Sequence, residues 1–361
     1  FSTWYLDAMS EWCDRWAVWA REAMPKTSIY QSSGGWGAVE IGTDYVAHSK
    51  GMAKLGGGIR MTNENDSYLN NFGNTRLAAS AARFYGAKWG TEPAGFSSMR
   101  GVVARIYNAI VNDAEHLFYY EGNLTGNDQA IGAWLKYAPM LDQRGRPRAE
   151  IAVVFPDTAN KMRDDTLRYL RASAYLQRVH TLRAVADFDM VSEQMIVDGA
   201  LERYKAVIMV WGNTMEKAAL DKIGDWVRKG GVVFYPEREL TREGLLQTVE
   251  GDSSIYKGWQ VGETGKGRAM LFTGQTEPFS AFAEYVRKEL PKVTSLRQEV
   301  RGAVKMRKPD DTFWTVMEDG RVVLLNYGDA PAVVTLSNGR AVTLAPYTIW
   351  SGGGEKAAGH Q

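Results

Sequence analysis

Three glutamates in this chain, Glu64, Glu92 and Glu121, each stand just after a short strand-like run. Glu64 follows Gly58-Ile59-Arg60-Met61-Thr62 and Asn63, Glu92 follows Ala87-Lys88-Trp89-Gly90 and Thr91, and Glu121 follows His116-Leu117-Phe118-Tyr119-Tyr120. Carboxylates at strand ends are the equipment of general acid, general base and nucleophilic chemistry. Cleavage of a glycosidic bond by the retaining route needs two of them, roughly 5–5.5 Å apart. Glu92 is set most deliberately, between Gly90 and Pro93 in Lys88-Trp89-Gly90-Thr91-Glu92-Pro93-Ala94-Gly95. The plainer alternative for a lone Glu is a solvated loop position. Glu64 and Glu92 are 28 residues apart (92 − 64), one strand-helix unit, so they fall on adjacent strands.

Other chemistries lack their residues. Cys13 is the single cysteine, which excludes an intramolecular disulfide or a thiolate metal site, and the four His have no ligand spacing. Gly262-Glu263-Thr264-Gly265-Lys266-Gly267 lacks both the glycine spacing and the hydroxyl residue of a phosphate loop, and it precedes a strand, so it reads as a turn. Phe155-Pro156-Asp157 stands where a dinucleotide fold would have a glycine-rich turn. No Gly-x-Ser-x-Gly elbow occurs, and residues 149–293 contain no cysteine for an amidotransferase-like reaction. No cofactor is expected.

The elements that must carry the carboxylates are legible in the periodicity. Tyr5, Met9, Trp12, Trp16, Trp19 and Ala23 recur at helical steps, predicting a first helix whose tryptophan face packs into the core. A sugar-stacking platform is the alternative for that stripe. Strands at 27–31, 58–62, 87–90 and 116–120 alternate with helices at 44–55, 75–85 and 99–112, which predicts a parallel sheet of four strand-helix units over residues 1–145. Asp142–Arg148 (DQRGRPR) is a polar linker and the expected boundary. Strands at 149–155, 189–191, 206–210, 232–235 and 267–272, with helices at 164–179, 216–229 and 279–290, predict a doubly wound α/β domain over 146–296. Short alternating strands with Glu318-Asp319-Gly320 and Ser337-Asn338-Gly339 turns predict a small antiparallel β domain over 297–354, followed by a tail, 355–361.

Composition sets outer limits. With 361 residues, 45% of them hydrophobic, the chain can bury a large core. Its 43 basic and 42 acidic residues give no footprint for nucleic acid or an anionic membrane, and no apolar run approaches the ~20 residues of a membrane span. The chain opens at Phe1 inside a helical pattern, without Met, so a processed product or fragment is expected and the compartment stays open.

The order of these pieces resembles glycoside hydrolase family 42, the β-galactosidases of a barrel clan. Lys88–Gly95 looks like that family's seventh-strand segment, whose Glu is the nucleophile. Met99-Arg100-Gly101 through Asn108-Ala109-Ile110 to Asp113–Tyr120 looks like the next helix and eighth strand, and Tyr204-Lys205-Ala206-Val207-Ile208 and Lys229-Gly230-Gly231-Val232-Val233 read like phrases of its trimerisation domain. The resemblance implies the C-terminal half of a (β/α)8 barrel, strands five to eight, then a flavodoxin-like α/β domain and a small β domain. It implies Glu92 as nucleophile of a retaining β-galactosidase-like enzyme acting on an oligo- or polysaccharide. Trp89, Trp36 and Tyr120 would line the sugar site, with Arg60, Asn63, Glu64 and Glu121 binding hydroxyls. Barrel glycosidases often carry their acid/base in an Asn-Glu pair, but that residue follows strand four, which by this count precedes Phe1. Asn63-Glu64 is therefore assigned to substrate contact. The missing half would come from absent residues or another chain, and a homo-oligomer is implied. Thr91-Glu92-Pro93 replaces the family's usual Met-Glu-Gln, which leaves the sugar open. A carbohydrate-binding or assembly protein that kept the scaffold without the chemistry is the rival reading.

Overall fold

The computed structural model describes residues 1–34, 41–62, 66–92, 97–119, 121–162, 174–210, 214–236, 247–248, 262–264, 266–274 and 278–353. The first unit runs α1 (Ser2–Ala23), β1 (Tyr30–Ser33), α2 (Tyr45–Ala53), β2 (Gly58–Met61), α3 (Tyr68–Tyr85), β3 (Lys88–Thr91), α4 (Met99–Val111), β4 (His116–Leu117), α5 (Glu121–Leu124) and α6 (Asp128–Tyr137). Its four strands pair in chain order and all in parallel. The helices begin where short polar side chains can cap them: Asp44 accepts from the amides of Val46 and Ala47, Ser67 from Asn70, Ser98 from Gly101 and Asn127 from Ala130.

A second sheet has the order β11-β12-β9-β7-β5-β6, from β5 (Ile151–Phe155), β6 (Asp189–Ser192), β7 (Ala206–Ile208), β9 (Val232–Pro236), β11 (Gly262–Thr264) and β12 (Gly267–Phe272). All its pairs are parallel except the β11–β12 hairpin, so the Gly262–Gly267 segment does turn the chain. Around it lie α7 (Asp157–Lys161), α8 (Ala174–Arg183), α9 (Glu193–Val197), α10 (Lys217–Arg228) and α11 (Ser280–Glu289), with a small β8 (Thr214–Met215) and β10 (Gln247–Thr248) pair at one side. The third unit contains α12 (Gln298–Val304), a β13-β14-β17 sheet (Thr312–Val316, Arg321–Asn326, Thr348–Gly353) and a β15–β16 hairpin (Ala332–Thr335, Ala341–Leu344). Strand β17 extends to Gly353, where its pairing with β14 holds it. Most of the helix expected at 164–179 lies outside the described residues; α8 covers its end and runs on to Arg183.

The three units share packing. Helix α3 is buried nearly all round, as a helix sandwiched between two layers must be. Gly73 lets it approach α8: a Cβ there would lie 2.6 Å from a Leu176 methyl. On its other turns Ser80 accepts from the Met190 amide of β6. One apolar core runs from Ala17 through both parallel sheets to Phe313 and Ile349, with a smaller cluster around Trp314, Leu324 and Val334. At the junction sits Arg183 of α8, its side chain fully buried. It donates to Tyr68 Oη (2.9 Å), Tyr107 Oη (3.2 Å), the Ala186 carbonyl (3.2 Å) and the Trp314 carbonyl (2.7 Å). Asp187 balances its charge at 3.4 Å.

The expectation for α1 is overturned. Trp12, Trp16 and Trp19 are 50%, 66% and 56% exposed, while the core side of the helix is Leu6 and Ala17. Cys13 faces β1, accepting from Gln31 Nε2, and Asp14 faces α2, where a Cβ on Gly51 would collide with its carboxylate. At 100° per residue the tryptophans then fall on the flank turned away from α2. Helical spacing defined a face, and the actual neighbours sit on another one.

Candidate functional site

The first sheet separates two chemistries by strand parity. Side chains of alternate residues point to opposite faces, and Ile59, Met61, Trp89 and Thr91 are buried on the face turned to the helices. The other face carries Tyr30, Arg60, Lys88, Gly90 and His116. Ser32, Arg60, Gly90 and His116 are register partners in one row across all four strands.

Glu92 continues this ladder one step past β3. Its amide donates to the Met61 carbonyl at 2.8 Å, and the Phe118 amide donates to the Thr91 carbonyl at 2.9 Å. Glu92 is only 5% exposed, and Arg60 Nε lies 2.5 Å from its Oε2. The carboxylate is thus fixed at the carboxyl end of the sheet by a guanidinium from the adjacent strand, in an orientation two elements determine. A buried charge-assisted contact of this kind orients a nucleophile or a substrate ligand equally well.

His116 crosses the neighbouring row. Its ring lies so close over Gly90 that a Cβ there would be 2.3 Å from it, and it meets Tyr30 edge to face at 4.7 Å between centroids. Burial, then the nearby Arg60 charge, push its pKa below the ordinary value, opposed by Glu115 and Glu92. The imidazole is therefore neutral near pH 7. Tyr30 Oη donates to Glu115 Oε2 at 2.7 Å, and Lys88 Nζ reaches the same oxygen at 3.2 Å. Replacing Gly90 with Ala is expected to force His116 off this position at a cost of about 1–3 kcal/mol. A urea-midpoint change equivalent to less than about 0.5 kcal/mol would contradict that packing.

Asp66, just ahead of α3, accepts from the Ser98 amide at 2.6 Å and lies 3.7 Å from Arg105 Nη2. Buried Arg105 also donates to Ser97 Oγ at 2.8 Å, and Tyr327 of the third unit donates to the Asp66 carbonyl at 2.8 Å. Sequence reasoning missed His116, Asp66 and Arg105 here. They carry no local signal, because only strand register and helix packing bring them in.

The expected site residues fare unevenly. Glu92 and Arg60 are brought together. Trp89 is a correction: 3% exposed, it faces α4 and donates its indole N–H to the Asn112 carbonyl at 2.8 Å, so it presents no ring to the face that holds Glu92. Glu121 opens α5, and its side chain lies outside the described residues, as do Trp36, Asn63, Glu64 and Tyr120. Among the described residues no group of three or more His, Cys, Asp or Glu is placed to hold a metal ion, and no helix is long and apolar enough to cross a membrane.

No family model matches this chain, and no curated protein matches it by sequence. Solved structures do match in fold. A catalytic mutant of a glycoside hydrolase family 42 β-galactosidase from G. stearothermophilus superposes with a TM-score of 0.63 at 11% identity, covering 92% of this chain and 64% of its own. A β-galactosidase from the Antarctic haloarchaeon Halorubrum lacusprofundi gives 0.69 at 13% identity, covering 99% and 68%. A family 42 exo-carrageenase from Bacteroides ovatus gives 0.59 at 10% identity, covering 96% and 56%. The chain is therefore structurally similar to family 42 β-galactosidases at low sequence identity, and it spans 64% of the first of them and 56% of the exo-carrageenase.

Proposed function

We propose that this chain is the C-terminal part of a retaining glycoside hydrolase acting on β-linked sugars, β-galactosidase-like, with Glu92 as nucleophile. The observation that carries the reading is the buried Glu92 carboxylate at the end of the third parallel strand, held by Arg60. In the first step Glu92 attacks the anomeric carbon, the glycosidic C–O bond breaks, and the leaving oxygen takes a proton from a second carboxylic acid. In the second step water, deprotonated by that same carboxylate, displaces Glu92 from the glycosyl ester. Arg60 holds the attacking carboxylate, while Asn63, Glu64, Trp36, Tyr120 and Glu121 are proposed to contact the sugar.

The second acid is assigned to four further strand-helix units that close a (β/α)8 barrel with these four. Parallel sheets have both faces covered, yet Lys88, Glu115 and Phe118 are exposed on or beside the open face of this one. We assign the exposed tryptophan flank of α1 to contact with a preceding barrel helix. The middle unit, with strand order 2-1-3-4-5 like a flavodoxin, is proposed to assemble homo-oligomers.

Treatment with a 2-deoxy-2-fluoro β-glycoside, on this chain alone and on a longer form joined to the remaining barrel, tests the assignment. A covalent sugar on the peptide that contains Glu92 is the expected outcome. A label on another carboxylate would overturn it, and sugar binding by the longer form without label or turnover would favour the binding-protein alternative.

A further inference from the structure

At the opposite end of β3 from Glu92, guanidinium groups from four parts of the fold converge on one crevice. Two adjoining cavities of about 510 and 420 Å3 share Arg83 and Arg146 in their walls. Arg83 comes from α3, Arg146 and Arg148 from the linker between the sheets, Arg203 from the turn before β7 and Arg297 from the start of α12. The larger cavity also presents three carboxylates, Glu150, Asp189 and Glu318.

Two of those carboxylates are already engaged. Asp189 Oδ1 takes Arg83 Nη2 at 2.5 Å and its Oδ2 takes Tyr204 Oη at 3.1 Å. Glu150 Oε1 lies 3.0 Å from Arg297 Nε, and its Oε2 accepts from the Arg297 amide at 2.7 Å. Arginine donors are left over. Arg83 Nη1 and Arg148 Nε are buried with no partner among the described residues. Among the described residues Arg203 Nη1 donates only to the Arg83 carbonyl, at 3.4 Å, and Arg146 approaches Asp113 no closer than 3.6 Å.

Buried donors without acceptors carry a desolvation penalty, and although Glu299 lies 3.3 Å from Arg148 Nη1 and Asp113 3.6 Å from Arg146, the buried nitrogens Arg83 Nη1 and Arg148 Nε stay unmet among the described residues. The guanidinium fork fits the oxygens of phosphate or sulfate, two at a time. The larger cavity is within the size range of small-molecule sites.

We propose that this crevice binds a tetrahedral oxyanion, phosphate or sulfate, free or as an ester on a saccharide. The bound anion bridges α3 of the first unit to the linker, β7 and α12, and so fastens the sheets together. Its position, about 13 Å along β3 from Glu92, makes it independent of the proposed chemistry.

Thermal unfolding and calorimetric titration with sodium phosphate and sodium sulfate, against sodium chloride at matched ionic strength, test this. A saturable rise in Tm with either oxyanion and none with chloride is expected. The double substitution Arg146→Gln/Arg203→Gln is expected to weaken binding about 100-fold, since two charge-assisted contacts are lost. Arg287→Gln, which removes an exposed charge paired to Glu284 on α11, is expected to leave binding unchanged and controls for net charge. Tighter binding of a hexose 6-phosphate or 6-sulfate than of the inorganic ion identifies a saccharide ester, and equal binding identifies the free ion. An equal response to chloride, or full binding by the double variant, would overturn the proposal.

Discussion

Glu92→Gln is expected to lower glycosidase turnover by a factor on the order of 10^4 or more, the scale on which enzymes lose their nucleophile. The substitution keeps the side chain's shape and replaces a charged oxygen with an amide. Substrate binding, measured as KM, should change little, because the loss falls on a bond made only during reaction. The cost to stability should be modest. Arg60 loses its partner, but its side chain is 37% exposed and water can solvate it. These two readouts separate the possibilities. If Glu92 only braces β2 against β3, the variant melts earlier while kcat holds. If Glu92 attacks the sugar, kcat collapses while Tm nearly holds. The measurement belongs on the form of the protein that shows turnover, with the folded state checked in parallel.

The second large effect concerns stability alone. Arg183→Met is expected to cost about 3–5 kcal/mol, because it takes a charged partner out of a buried network. Tyr68, Tyr107 and the Trp314 carbonyl would lose their donor together, and Asp187 would keep Arg76, at 2.7 Å. Methionine can fill the volume over Phe72, where the guanidinium now stacks at 4.8 Å, but it offers no hydrogen bond. Whole-protein stability is typically 5–15 kcal/mol, so this one change takes up a large share. Denaturant unfolding followed by tryptophan fluorescence should show one transition moved to lower concentration. A shift equivalent to less than about 1 kcal/mol, or early loosening confined to residues 297–353, would contradict the role given to Arg183.

Much of this was readable from the residues. Continuous apolar runs such as Ile151–Phe155 and Val232–Tyr235 are strands buried on both faces, and they stand where periodicity puts them. Glu92 was readable because a strand end, a glycine and a proline frame it. Its partner Arg60 was not assigned as one, because register between parallel strands is a property of the assembled sheet. The error at Trp89 was avoidable. Residues three apart on an extended strand point to opposite faces, so Trp89 and Glu92 could not share one. For α1 the period was right and the direction wrong: a helix with aromatic residues on one flank and small ones on another has two candidate core faces. The linker Asp142–Arg148 reads as a polar divider, yet its arginines form walls of a crevice, since polarity alone does not distinguish solvent from a lined cavity.

The contacts of Arg183 also bear on how the chain comes into being. Synthesis proceeds from the N-terminus, and domains generally fold as they emerge. Here α8 is made before residue 314, whose carbonyl accepts from the same guanidinium nitrogen that reaches Tyr107. Until the third unit leaves the ribosome, a charge at the centre of the molecule lacks one of its acceptors, and burying it early is penalised. The middle sheet therefore completes its packing only after the last strands arrive. A chain that stops short of β13 is left holding an apolar core it cannot close, which makes it a natural client for chaperones and proteases.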